Sequence, residues 1–251
     1  MPVRWSDSST QWQRFGEVDP YYGVLSSEEY RRENLDDERL EQFFASGEAY
    51  VEWLFEQLGD LHPRSSLDFG CGVGRILVAL AGRCGEVTGV DVSPAMLAEC
   101  GKVCEERGIR NARLTDRLPD ERFDLVHSTI VLQHLRRDDG YRMIGELASR
   151  VTDGGTGALH VSLRPSTERA RVYFWAIARI PFAANAWNLA RRRPWSYPHM
   201  RMTAYSLDRV LEQLASQGIL EANAVYHPAP APMGFHSATV FFRRSGSPND
   251  G

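Results

Sequence analysis

The chain has 251 residues, of which 43% are hydrophobic and 25% are charged, an ordinary composition for a globular protein with a sizeable core. A net charge of −4 gives no electrostatic reason to expect a nucleic acid as a partner. The amino terminus lacks the apolar core of a signal peptide, and Arg179 and Pro181 interrupt the longest apolar patch. We therefore expect a cytoplasmic protein without a transmembrane segment. The four cysteines show no metal-ligand spacing, so no metal site is predicted.

Helical periodicity is the first structural signal along the chain. Over residues 26–58, apolar side chains such as Phe44 and Val51 recur on one face of a predicted helix. We assign residues 1–60 to an N-terminal helical lid.

From residue 65 onward, strand and helix signals alternate, which indicates parallel strands joined by crossover helices. The glycine-rich sequence DGGTG (153–157) is predicted to be the turn before the fifth strand. The pattern predicts an α/β domain formed by residues 61–165 and 205–244. The seven predicted strands are SSLDF (65–69), EVTGVDV (86–92), ARLT (112–115), FDLVHS (123–128), ALHVSL (158–163), LEANAVYH (220–227) and SATVFFR (237–243).

Residues 166–204 interrupt this alternation with a segment rich in Trp, Phe, Tyr, Pro and Arg. We predict that this segment is an inserted cap over the substrate, because its aromatic content suits a partly apolar small molecule. An amphipathic helix that lies on a membrane surface remains an alternative, given Arg179 and the arginine run at 191–193. The last residues, 245–251, are predicted to form a disordered tail.

The glycine-rich loop after the first strand predicts a ligand site. A strand, a glycine turn and a helix start direct backbone N–H groups and the helix dipole at a ligand. Asp91 ends the second strand, where a carboxylate can bind both hydroxyls of a ribose. A dinucleotide and an adenosine-containing cofactor both fit these features. The dinucleotide pattern G-x-G-x-x-G is not met, because the run is Gly70, Gly72, Gly74 and Arg75 occupies the position of its third glycine.

The sequence LDFGCGVGR resembles the first motif of the class I S-adenosylmethionine-dependent methyltransferases. Three later segments continue the likeness in order: GVDVSPAML is similar to their ribose-binding segment, LTDRLPDERFDLV to the adenine-side loop and fourth strand, and STIVLQHL to the segment that follows. The resemblance is good over residues 65–163 and looser elsewhere. It implies a Rossmann-like three-layer sandwich with strand order 3-2-1-4-5-7-6 and an antiparallel last strand. It also implies S-adenosylmethionine as the cofactor, lying across the carboxyl ends of strands one to four.

The same resemblance implies which residues contact the cofactor. Gly70, Cys71 and Gly72 would face its methionine part and ribose, and Asp68 would brace the loop. The further positions that it implies are Asp91 at the ribose, Val92 and Met96 beside the adenine, Asp116 at the adenine amino group, and Ser128, whose backbone would meet the methionine ammonium.

The segments WQRFGEVDPYYGVL and FFASGEAYVEWL resemble the lids of some bacterial small-molecule methyltransferases. An aromatic face in such a lid would shield the sulfonium, whose positive charge favours a π surface. Tyr21 is the candidate catalytic residue of this segment, and Tyr22 and Ser46 are candidates for cofactor contact. The alternative is that these aromatics only pack the lid on the sheet.

Methyl transfer requires an aligned nucleophile, exclusion of water and, for some acceptors, removal of a proton. His134 follows the fourth strand and is the candidate base, because an imidazole titrates near neutrality; a structural role in the loop is the alternative. The predicted activity is methylation of an O or N nucleophile of a small metabolite, as in small-molecule biosynthesis. An S-adenosylmethionine-using cyclase and a non-catalytic cofactor-binding module are the alternatives. The sequence leaves the acceptor and the oligomeric state open.

Overall fold

The structure is a computed structural model that describes residues 8–180, 182–195, 197–198, 200–231 and 234–246. Of the predicted tail, all but Ser245 and Gly246 lies outside the described residues. Its centre is a sheet of seven strands: β1 (Ser65–Phe69), β2 (Glu86–Val90), β3 (Ala112–Thr115), β4 (Phe123–Ser128), β5 (Val151–Pro165), β6 (Ala222–His227) and β7 (Phe235–Arg243).

The sheet has the order β3-β2-β1-β4-β5-β7-β6. The first five strands pair in parallel, and β7 runs antiparallel to both of its neighbours. The predicted Rossmann-like architecture and strand order are therefore confirmed. Phe69 is opposite Val90 in the pairing of β1 with β2, so the carboxyl ends of these two central strands are level at one edge of the sheet.

The predicted turn at 153–157 is wrong, because these residues lie inside β5. The pairing of β4 with β5 shifts register between Phe123 and Leu125, and Gly154 has a φ of 79°. The extra residues form a bulge, in which glycine adopts the left-handed conformation at little cost. Pairing of Thr156 with Arg243 on β7 keeps this segment in the sheet.

Helices cover both faces of the sheet, which gives the three predicted layers. On one face, buried side chains of α3 (Asp37–Leu58), α4 (Arg75–Ala81) and α5 (Pro94–Glu106) share a core with the central strands. On the other face, α6 (Arg137–Ser149) and α9 (Leu207–Ser216) do the same.

The N-terminal segment, defined here as residues 8–58, is not the continuous helix predicted for 26–58. It contains α1 (Ser8–Val18), α2 (Pro20–Val24) and a 3₁₀ turn (Glu28–Tyr30) before α3. Pro20 occupies the first turn of α2, where its missing N–H costs nothing. Asp36 accepts a hydrogen bond from the backbone N–H of Arg39 at 2.9 Å, a cap that begins α3 only at Asp37.

The insertion segment, residues 166–204, contains α7 (Glu168–Arg179) and α8 (Ala183–Ala190). It contacts the N-terminal segment through Tyr197, whose hydroxyl donates to Asp19 at 2.9 Å. Arg31 forms an ion pair with Asp19 and also donates a hydrogen bond to the Tyr197 hydroxyl. These three side chains join the two segments above the carboxyl edge of the sheet. Among the described helices, we find none that is both long and apolar enough to cross a membrane.

Candidate active site

The glycine loop between β1 and α4 has the backbone that its sequence predicts. Gly70, Gly72 and Gly74 have φ values of 80°, 53° and 94°, a region that side chains with a Cβ rarely adopt. The backbone N–H groups of Gly70 and Cys71 donate to the carbonyl of Val90 at 2.7 and 3.0 Å. The loop is thereby held against the end of β2.

Asp91 lies beside this loop and is hydrogen-bonded to it. One carboxylate oxygen accepts from the Gly72 N–H at 3.0 Å, and the other accepts from the Ser93 N–H at 2.9 Å. Burial raises the pKa of Asp91 to about 6, even though these two N–H groups favour the charged form. The carboxylate keeps further lone pairs with which it can accept hydrogen bonds from a ligand.

A cavity, called here the first cavity, opens beside the glycine loop and Asp91. It lies at the carboxyl ends of β1, β2 and β4, where open α/β sheets bind their ligands. The N-terminal segment covers it with Trp12, Gly23 and Val24. Gly23 lies under the side chain of Met96, which is 2.9 Å from the position that a Cβ would take.

Two buried, opposite charges line the first cavity without pairing with each other. Asp68 is 2% exposed, and its Oδ2 has no hydrogen-bond partner among the described residues. Arg75 is 6% exposed; its Nε has no partner among them either, and Nη1 only reaches Ser46 Oγ at 3.4 Å. Buried polar atoms that are left without a hydrogen-bond partner are costly in a folded protein. A ligand with both an ammonium and a carboxylate would satisfy them.

Asp68 is oriented by a chain of two further side chains. Its Oδ1 accepts from the Nδ1–H of His127 at 2.9 Å, and Nε2 of His127 accepts from the Tyr50 hydroxyl at 3.1 Å. The proton is assigned to Nδ1 because the Asp68 carboxylate can only accept, and the Tyr50 hydroxyl, whose pKa burial raises to about 12, keeps the proton that it donates to the Nε2 of a neutral imidazole. The chain holds the Asp68 carboxylate in one orientation at the end of β1.

A second cavity lies next to the first. The two share the lining residues Gly23, Val24, Ile130 and His134. The insertion segment and the N-terminal segment form most of its wall. Its aromatic lining residues are Phe15, Tyr22, Tyr173, Phe174, Trp187 and Tyr197.

His134 stands at the junction of the two cavities. It ends a 3₁₀ turn (Leu132–His134) after β4 and is 5% exposed. Its Nδ1 lies 2.7 Å from the carbonyl oxygen of Arg201, which can only accept, so Nδ1 carries the proton and Nε2 has the lone pair. Burial lowers the pKa of His134 to about 4, against the raising effect of two backbone carbonyls. The imidazole is therefore neutral at neutral pH.

The first cavity brings most of the predicted site residues together. Those that line it are Asp68, Gly70, Cys71, Gly72, Asp91, Val92, Met96 and His134.

Other predicted residues do not line the first cavity. Tyr21 is buried, and its hydroxyl donates to Glu99 at 3.1 Å; it lines neither cavity. Tyr22 lines only the second. Ser46 reaches the site through Arg75.

Asp116 and Ser128 also lie apart from the lining. Asp116 is exposed after β3, with Arg117 at 3.8 Å. The Ser128 hydroxyl donates to the Phe69 carbonyl at 2.9 Å, and Thr129, Ile130 and Val131 line the cavity instead.

Sequence reasoning did not indicate three further residues that line the first cavity, Arg75, Trp12 and Ile130. In the sequence, Arg75 only occupies the position of the third dinucleotide glycine, whereas in the structure it is buried without an ion-pair partner among the described residues. Trp12 contacts His134 with ring centroids 4.7 Å apart. Ile130 has a φ of 60°, which no sequence signal indicates, since such a conformation in a β-branched residue depends on its surroundings.

Comparison with known proteins agrees with this geometry. Residues 67–159 match a family described as a methyltransferase domain. A ubiquinone biosynthesis O-methyltransferase of Pseudomonas fluorescens is 37% identical over 92 residues, which are 34% of this chain and 39% of the relative. The chain thus spans about two fifths of the length of this curated relative.

Two solved structures share the fold. A magnesium protoporphyrin IX methyltransferase from Synechocystis PCC 6803, solved with bound SAM, has a TM-score of 0.60 at 18% identity, over 95% of this chain and 98% of the other. The cyclase SpnF has a TM-score of 0.56 at 15% identity, over 80% of this chain and 82% of the other. The fold is the Rossmann-like architecture that these two structures share, with the glycine loop at the carboxyl edge of the sheet. Within this architecture, residues 67–159 are the part of the chain that is similar to a methyltransferase domain.

Proposed function

We propose that the chain is an S-adenosylmethionine-dependent methyltransferase that acts on an O or N nucleophile of a small molecule. In this proposal the first cavity binds the cofactor and the second binds the acceptor. The observation that carries it is the shared lining of the two cavities, with the glycine loop and Asp91 on one side and His134 at the junction. The N-terminal segment and the insertion segment would act as lid and cap.

The residues of the first cavity fit the cofactor group by group. Asp91 would accept hydrogen bonds from the ribose hydroxyls, and Val92 and Met96 would pack against the adenine. Asp68 and Arg75 would hold the ammonium and the carboxylate of the methionine part, which would give partners to Oδ2 of Asp68 and Nε of Arg75. The bound cofactor supplies an electrophilic methyl carbon on a sulfonium.

His134 would serve the acceptor rather than the cofactor. Its Nε2 is at the junction of the cavities, 3.4 Å from the side-chain nitrogen of Gln133, and would take a proton from a hydroxyl or an ammonium group of an acceptor that displaces this contact. The low pKa of His134 keeps that nitrogen unprotonated at physiological pH, while the Nδ1 bond to Arg201 fixes the ring. The aromatic side chains around it exclude water from the nucleophile.

Product analysis tests the proposed activity. The full chain would be incubated with methyl-deuterated S-adenosylmethionine and a metabolite extract, and mass spectrometry would follow both the cofactor and the acceptor pool. We expect S-adenosylhomocysteine together with a product that carries the labelled methyl group. S-adenosylhomocysteine retained on the protein without any labelled product would favour the non-catalytic module, and an unlabelled, rearranged product would favour the cyclase.

The cofactor preference gives the first prediction. S-adenosylhomocysteine is expected to bind at least about tenfold more tightly than NAD, because Arg75 replaces the third glycine of the dinucleotide pattern and its side chain fills the space beside the loop. Isothermal titration calorimetry of the full chain with each ligand measures the difference. Tighter binding of NAD would overturn the cofactor assignment.

Truncation of the aromatic wall of the second cavity gives the second prediction. Trp187→Ala is expected to lower turnover about five- to tenfold, because the acceptor loses a face of its pocket, and to leave cofactor affinity within about threefold. Trp195→Ala is the matched control, since Trp195 is similarly exposed and does not line the cavity. Equal effects of the two substitutions would contradict the assignment of this cavity to the acceptor.

A further inference from the structure

The second cavity has an uneven charge distribution. Among the described residues that line it, Arg191 and Arg193 are the only ones with a charged side chain; no acidic side chain is among them. The rest of the wall is apolar, aromatic or neutral polar. An apolar cavity with two cationic groups and no anion favours a ligand that is itself apolar and anionic.

The cavity has two distinguishable ends. At one end it shares Gly23, Val24, Ile130 and His134 with the first cavity. At the other end, Arg191, Arg193 and Tyr197 also line a groove on the protein surface. The cationic end is therefore the outer end, and the end at His134 is the inner one.

The chain turn after α8 directs the two arginines to the cavity. Arg192, which lies between them, has a φ of 57°. Its backbone N–H donates to the carbonyl of Leu189 at 3.0 Å, and the backbone N–H of Arg193 donates to the carbonyl of Asn188 at 2.9 Å. These two bonds define a Schellman ending of the helix, with a left-handed residue at Arg192. Arg192 lines only the surface groove.

Arg191 is the arginine available to a ligand. Arg193 already donates to Glu28 at 2.9 Å, and Glu28 lies outside the second cavity. The Arg191 guanidinium lies 5.1 Å from the centre of the Trp187 ring and has no ion-pair partner among the described residues. A planar guanidinium with free N–H groups binds a carboxylate through two parallel hydrogen bonds.

We infer that the acceptor is an aromatic acid. Its ring system would lie between the aromatic side chains of the second cavity, its carboxylate would bind Arg191 with Arg193 nearby, and its nucleophilic hydroxyl or amine would be at the inner end, beside His134. The carboxylate is thus a recognition group and not the methylated group. The assignment of the inner end rests on the proposed function; the recognition of the anion by Arg191 does not.

A matched pair of probes tests this inference: 4′-hydroxybiphenyl-4-carboxylate and its neutral carboxamide. Binding of each to the full chain would be measured by calorimetry, with and without S-adenosylhomocysteine. The acid is expected to bind at least about tenfold more tightly than the amide. Arg191→Gln should reduce that preference to about threefold or less, and Arg191→Lys should retain part of it. Arg192→Gln removes the same charge one residue away and should leave the preference unchanged.

Three results would overturn the inference: no binding of the acid, equal binding of acid and amide, or an undiminished preference in Arg191→Gln. Thermal unfolding of each variant verifies that it is folded, which we expect because Arg191 is exposed. Failure of S-adenosylhomocysteine to bind would instead contradict the proposed function. The comparison of acid with amide in the absence of cofactor would then still decide the inference.

Discussion

Asparagine in place of His134 is expected to lower turnover about a hundredfold and to leave cofactor affinity within about threefold of the parent. The asparagine amide can keep a hydrogen bond to the Arg201 carbonyl, which the parent makes at 2.7 Å, but it offers no base in the place of Nε2. Steady-state rates with the acceptor found by deuterium labelling, together with calorimetry on S-adenosylhomocysteine, measure the two effects.

The pH dependence provides a second measurement on the same variant. Because burial lowers the pKa of His134 to about 4, kcat/KM of the parent for the acceptor, measured at saturating S-adenosylmethionine so that the titration of Asp91 does not limit it, should fall as the pH drops toward that value, and His134→Asn should lack this acidic limb. An unfolded histidine titrates near 6.5, so only the unfolded chain takes up this proton between about pH 6.5 and 4. The parent therefore loses stability as the pH falls through this window, and the variant should lose less.

A control separates the base from a positioning role. His236→Asn changes a histidine that contacts Tyr226 and lines neither cavity, and its turnover should stay within about twofold. Parent-like turnover in His134→Asn, combined with joint loss of turnover, cofactor affinity and thermal stability in His134→Ala, would show that His134 only positions the loop.

Alanine in place of Asp91 is expected to weaken S-adenosylhomocysteine binding about ten- to a hundredfold. Loss of a charged acceptor costs about 1.5–3 kcal/mol, which corresponds to that range of affinity. The carboxylate also holds the N–H groups of Gly72 and Ser93, so the alanine variant loses both the ligand contact and the order of the loop. Calorimetry of the parent and the variant at pH 8 measures the loss.

The raised pKa of Asp91, about 6, makes cofactor binding depend on pH. As the pH falls below about 6, the carboxyl becomes protonated in the free protein, and parent affinity for S-adenosylhomocysteine should decrease. Asp91→Asn should bind weakly but with little change across the same range. Asp120→Asn is the charge-matched control, because the Asp120 side chain is fully exposed and paired with Arg150. Parent-like affinity in Asp91→Ala would show that the ribose assignment is wrong.

The sequence alone was sufficient to predict features whose conformation is set by residues close together in the chain. The glycine loop is one, because the positive φ values at Gly70, Gly72 and Gly74 select glycine wherever the chain goes next. The sheet order was predicted through the resemblance of the motifs to a known family, because alternating strands and helices with right-handed crossovers restrict the topology but do not select one order. The local sequence did not predict the conformation where the same residues suit two conformations. At 153–157, glycines that are typical of a turn instead form a bulge inside β5.

Only the tertiary structure decided which side chains meet at the two cavities. Tyr21 and Tyr22 are adjacent in the sequence, but successive residues on a helix point about 100° apart, so Tyr21 contacts Glu99 and Tyr22 lines the second cavity. Arg75 gave no local sign that its side chain is buried without an ion-pair partner. The walls come from the N-terminal segment, the ends of β1, β2 and β4, and the insertion segment. Their approach depends on long-range packing of the core, which residue spacing within any one segment does not specify.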